Sequence, residues 1–191
     1  SGNCNMNVNC PDGAAWGDQK RGAVMLVSGS NGFCSGSMIN NTANDGKPYV
    51  LTANHCYSNP ASWIFRFNWE SATCTNPVTS PTFQSLSGAV LRSRRIPSDF
   101  CLVEITGGLQ GGTVPASYNT YFSGWDNSGT VPTSTVSIHH PDGDIKKISF
   151  EEKLVSNPLS SEKMKIIQLI TKKQRRGAEI FACQLAENLQ K

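Results

Sequence analysis

No stretch of this chain is an apolar run of membrane length, which excludes a helical bilayer span. Charge is scarce as well: Lys, Arg, Asp and Glu make up 16% of 191 residues, and the net charge of +3 is too small to argue for a nucleic-acid partner. The chain opens with no signal peptide, so it reads as a mature, processed form. What is present is cysteine and glycine. Seven Cys and 17 Gly among so few charges point to an exported, oxidised protein. The length allows one sizeable domain or two small packed ones with a real core. Charge is unevenly distributed: residues 1–145 hold 7 Lys/Arg against 9 Asp/Glu (−2), residues 146–191 hold 10 against 5 (+5). That asymmetry marks a change in what the chain is for, or where it came from.

The chain is organised around Thr52-Ala53-Asn54-His55-Cys56, which ends the β-branched apolar run Tyr49-Val50-Leu51-Thr52. A lone histidine after a strand is usually a satisfied core or turn residue. Forty-four residues on, however, Ser98-Asp99-Phe100-Cys101-Leu102-Val103-Glu104-Ile105 sets one carboxylate at the mouth of an apolar strand. Burying it is costly unless a hydrogen-bonded partner is at hand. An imidazole N–H is such a partner, and in a Ser-His-Asp mechanism the aspartate fixes the histidine tautomer.

In these motifs, their order and their spacing, the sequence resembles the trypsin-like serine peptidases. It is similar in particular to the bacterial lysyl endopeptidases, through Ser1-Gly2-Asn3-Cys4, Cys10-Pro11-Asp12-Gly13, Asn40-Asn41-Thr42-Ala43-Asn44-Asp45-Gly46, Ser98-Asp99-Phe100 and Ile138-His139-His140-Pro141, over roughly residues 1–150. The resemblance implies an all-β double barrel acting on a peptide or protein substrate, monomeric, secreted by a bacterium and needing no cofactor, nucleic acid or membrane. It makes His55 the general acid/base and Asp99 its orienter, with cleavage after lysine. It also implies disulfides Cys34–Cys56 and Cys10–Cys74, and pairs Cys4 with an unidentified later cysteine. Cys34 and Cys56 lie near the same end of one hairpin, so their pairing is also geometrically plausible.

Along the chain, residues 1–20 read as an extended arm, followed by strands over 23–27, 33–39, 48–52 and 63–69. The aromatics of 63–69 suit barrel packing better than a sugar-binding face. Residues 71–88, rich in Ser, Thr and Pro, read as a loop, with a strand starting at Ala89 and Arg92, Arg94 and Arg95 as solvated loop charges. The strand over 100–105 makes a sixth, enough for a small closed barrel. Cys101 reads as a buried reduced thiol. Gly107-Gly108 and Gly111-Gly112 form a linker, and strands over 136–141 and 146–150 lie beyond it; between them, residues 121–125 are similar to the strand and Gly-Trp that open the second barrel in the trypsin-like enzymes. His139, His140, Asp142 and Asp144 imitate a metal site, but adjacent strand residues point to opposite faces, so no metal is expected. The implied units are an arm (1–22), a first barrel (23–110), a partial second barrel (111–155) and a helical tail (156–191).

The tail departs from the family. No Gly-x-Ser-Gly loop follows Asp99, so the nucleophile is unknown; Asp126-Asn127-Ser128-Gly129 imitates the motif without its first glycine and too early in the chain. In its place, Met164, Ile167 and Ile170 recur at helical spacing after Ser161-Glu162, and a second helical stretch runs over 178–190. A shifted reading frame near 152–160 is the first explanation and a truncated pseudoenzyme the second; an unconventional serine comes a distant third. The chain is thus expected to be a lysyl endopeptidase-type enzyme inactive as it stands. The alternative is a non-catalytic pseudoprotease that binds peptides or inhibits.

Overall fold

The computed structural model describes residues 5–125 and 134–151. Nine strands run through them: β1 (Met6–Asn7), β2 (Ala23–Ser28), β3 (Asn31–Ile39), β4 (Tyr49–Ala53), β5 (Ile64–Phe67), β6 (Gln84–Arg95), β7 (Phe100–Gly107), β8 (Thr135–His139) and β9 (Lys147–Glu151). Six of them close into an antiparallel barrel in the order β2-β3-β4-β7-β6-β5. The seam is the β2–β5 pairing, Met25 to Arg66 through Val27 to Ile64, which leaves the barrel no free edge. The other three form a second sheet, β1-β9-β8. No helix among the described residues is long and apolar enough to cross a membrane.

Period-2 alternation fills the barrel. Cys101, Val103 and Ile105 of β7 point inward with Val24, Leu26, Met38, Val50, Phe65, Phe67 and Leu86, while Phe100, Leu102 and Glu104 between them are half-buried. Trp63, fully buried, meets Phe33 and Phe65 edge-on at ring separations of 5.5 and 6.3 Å. Gly36 lets β3 run against β4: a Cβ there would stand 2.6 Å from Val50 Cγ1. The second sheet has its own small apolar cluster of Val8, Val136 and Ile148.

Four expectations are corrected. The strand expected at Ala89 begins at Gln84, because Ser85 and Ser87 are its exposed positions while Leu86 points into the core; a polar outer face disguised a strand as loop. Arg92, Arg94 and Arg95 therefore lie on β6. The amino-terminal arm is built of elements: β1 pairs with β9, and 3-10 turns span Pro11–Trp16 and Gln19–Gly22. Residues 121–125 form no strand, only a one-residue bridge from Ser123 to Ile39. The expected tail helices, Cys4 and the Ser128 turn lie outside the described residues.

Candidate active site

The ladder between β4 and β7 ends at Ala53 opposite Phe100, so the residues just beyond these two, on facing strands, must meet. Asn54–Cys56 then curls into one 3-10 turn. Asp99 is turned back toward it by a left-handed backbone, φ 50°, a conformation Asp tolerates better than most residues. Three hydrogen bonds sew the segments together. The Asn54 N–H donates to the Asp99 carbonyl (2.8 Å), the His55 N–H to Asp99 Oδ1 (2.7 Å), and the His55 ring Nδ1 meets Asp99 Oδ2 at 2.5 Å. The carboxylate is 14% exposed and the imidazole 46%. With Nδ1–H donating to the carboxylate, the neutral ring keeps its lone pair on Nε2, on the half-exposed side chain. Such a ring can accept a proton from a substrate-side hydroxyl while the aspartate steadies the imidazolium that forms.

The surroundings brace this pair. Cys34 of β3 and Cys56 are joined by a disulfide with Cα atoms 6.3 Å apart, beside His55. A second disulfide, Cys10–Cys74, ties the amino-terminal turn to the β5–β6 connection. Cys34, His55 and Cys56 cluster like metal ligands, but both sulfurs are spent in the disulfide. In a C34A/C56A double variant the chain-entropy model gives a loss of about 3 kcal/mol, to be read from urea unfolding of oxidised protein.

Arg94, read from sequence as a solvated loop charge, lies with its guanidinium 4.2 Å from the centroid of Tyr57, two residues past His55. No sequence signal marked that contact, which lies just past the register shift between Leu91 and Ser93. Cys101 is buried and unpaired; burial raises its thiol to about 11, with Arg94 pulling it down and Asp99 pushing it up. It stays protonated and is no nucleophile. Among the described residues no serine or threonine hydroxyl bonds to the His55 ring.

His139 and His140 are both buried. His139 Nδ1 faces Ser137 Oγ (3.0 Å), and His140 Nδ1 faces the Asp144 carbonyl (3.0 Å). Burial lowers His139 to about 4; burial and then Lys146 lower His140 to about 3. Another buried group went unread in the sequence: Lys146, wholly enclosed, pairs with Glu70 at 3.1 Å, and Glu70 meets Lys20 at 2.6 Å. Such a pair is assembled across 76 residues of chain and leaves no local pattern.

Among solved structures, a thermostable serine protease from an extremophilic microorganism is similar: 15% identity over 76% of this chain and 70% of that one, with a TM-score of 0.46. The family model described as "Lysyl endopeptidase, C-terminal domain" matches residues 1–175, past the point near 150 where the motif resemblance ends. A closed all-β barrel, a second sheet and two disulfides accompany this match over residues 1–175, and the chain belongs to the lysyl endopeptidase C-terminal domain family.

Proposed function

We propose that this chain carries the proton-handling half of a secreted lysyl endopeptidase, with His55 as general acid/base and Asp99 as its orienter in peptide-bond hydrolysis. The observation that carries the reading is the two-point grip of Asp99 on His55, one carboxylate oxygen on the backbone N–H and the other on the ring. The geometry presets both tautomer and ring direction, as acyl transfer through a serine requires.

The sequence contains no Gly-x-Ser-Gly loop, the element in which small residues let backbone N–H groups converge on an oxyanion. Losing a triad serine costs on the order of 10⁶ in turnover, so in this reading these 191 residues by themselves do not turn substrate over and act by holding peptides. A fluorophosphonate probe tests this directly. The expected result is no covalent labelling and no lysyl ester hydrolysis, while a lysine-containing peptide shifts the His55 ring resonances. Labelling that disappears in H55A would show a working nucleophile and overturn the inactive state. Neither labelling nor a ring shift would remove the peptide-handling reading itself. The coding DNA downstream of Phe150 supplies an independent check: another frame spelling Gly-x-Ser-Gly supports the origin by frameshift.

A further inference from the structure

The second sheet is fastened to the barrel mainly by polar groups. Its apolar cluster is separate from the barrel core. Asn7 and Lys147 bond to the β5–β6 connection at Cys74 and Asn76, and residues 140–146, between β8 and β9, reach β3 and the segment after β5. The His140 N–H donates to Ser35 Oγ on β3 (2.9 Å), and the Lys146 N–H donates to the Trp69 carbonyl past β5 (2.9 Å). The His140 ring stacks on Trp69 with centroids 6.1 Å apart and planes 16° from parallel. Arg66 lies 4.7 Å from the same indole.

The tautomer at His140 is set by its surroundings. Nδ1 faces a carbonyl oxygen, which can only accept, so Nδ1 carries the hydrogen and Nε2 the lone pair. That Nε2 is buried and has no hydrogen-bond partner. A proton arriving there would become a buried N–H⁺ without an acceptor, beside the wholly buried Lys146 ammonium and across the Trp69 indole that Arg66 also meets. The opposing charges are Glu70, already shared between Lys20 and Lys146, and Asp144, which pairs with Lys147 at 3.5 Å. On β8, His139 repeats the motif with a buried, unpartnered Nε2, and β3 contributes only the neutral Ser35.

We infer that His140 is an acid-sensitive pin in the joint between second sheet and barrel: its protonation releases residues 140–146 from Ser35 and Trp69 while the six-stranded barrel stays closed. The sign follows from linkage. A histidine titrating lower in the fold than when exposed contributes stability above about pH 6.5, lost as pH falls toward the folded value. Glu70 leaves this window to the histidines: burial pushes its carboxyl up, but Lys146 and Lys20 outweigh that and hold it below 4.5. Opening is local because the barrel core contains neither histidine. The joint also reaches toward the His55 pair, since Ser35 adjoins Cys34, whose disulfide partner Cys56 follows His55.

Hydrogen exchange of the full chain at about pH 7.5 and about pH 5, corrected for intrinsic rates, tests the pin. Amides of residues 135–150 are expected to lose protection by at least about tenfold at the lower pH, with those of β4 and β7 unchanged. The His140 ring resonance of the closed form is expected to stay that of a neutral imidazole at about pH 5 and to titrate only toward about 3. H140Q, neutral at both pH values, should lose most of the pH dependence, leaving only the part that His139 supplies. Equal protection at both pH values overturns the inference, as does parallel loss in β4 and β7 or a His140 ring that titrates near 6.5 as an exposed imidazole does. If H140Q does not fold, the ring titration of the unmodified chain decides.

Discussion

Replacing Glu70 with alanine is expected to lower the unfolding free energy by about 3–5 kcal/mol, the usual cost of stripping one partner from a buried ion pair. Lys146 has no water to turn to: its side chain is wholly enclosed and its ammonium rests on Glu70 Oε2. Glu70 Oε1 also receives Lys20, whose ammonium in turn donates to Asn9 Oδ1 at 2.6 Å. The carboxylate thus joins three parts of the chain: the amino-terminal turn, the connection after β5 and the segment entering β9. Without it, one buried cation is left uncompensated and faces a second one. Adding K146M to E70A should recover most of the loss, because the expense lies in the unpaired charge more than in the lost attraction. Urea unfolding at neutral pH measures both variants. A loss under about 1 kcal/mol in E70A would mean that Lys146 finds solvent, and the enclosed pair would be a wrong description.

Trp63→Ala is expected to cost about 3–5 kcal/mol as well, through a different mechanism. The indole fills the barrel between Phe33 and Phe65, and its Nε1–H donates to Ser58 Oγ at 3.1 Å. Alanine leaves a cavity that a closed barrel cannot collapse, since every strand is tied to two neighbours. Trp63→Phe retains most of the volume and loses the hydrogen bond, so a loss of about 1–2 kcal/mol is expected. Calorimetry separates the two: the alanine variant should melt far below the phenylalanine one. Equal melting temperatures would place the energetic weight on the Ser58 bond and not on packing.

The barrel was legible in sequence where a short apolar run stands between turn residues, as at 23–27, which is buried throughout, or where burial on one side stamps period 2 on the chain, as at 100–105; both, with 33–39, read as strands and are strands. Between Gln84 and Ser87 the same rule operates with a single apolar residue, Leu86, and Ser-rich composition outweighed it. The arm misled for a related reason. β1 is two residues long, and its place beside β9 depends on Lys147 and Asn7 bonding at 2.8 Å across 140 residues.

The sequence alone determined the family, the strand-forming halves of the barrel and the two residues, His55 and Asp99, most worth testing, because motif spacing and alternation are local properties of a chain. Only the tertiary structure decided that the Asp99 backbone turns left-handed to grip His55 twice, that Arg94 lies on Tyr57, and that Lys146, Glu70 and His140 are enclosed in one joint. Burial and partnership of charged groups arise when distant segments exclude water together, and no local stretch of sequence records that event.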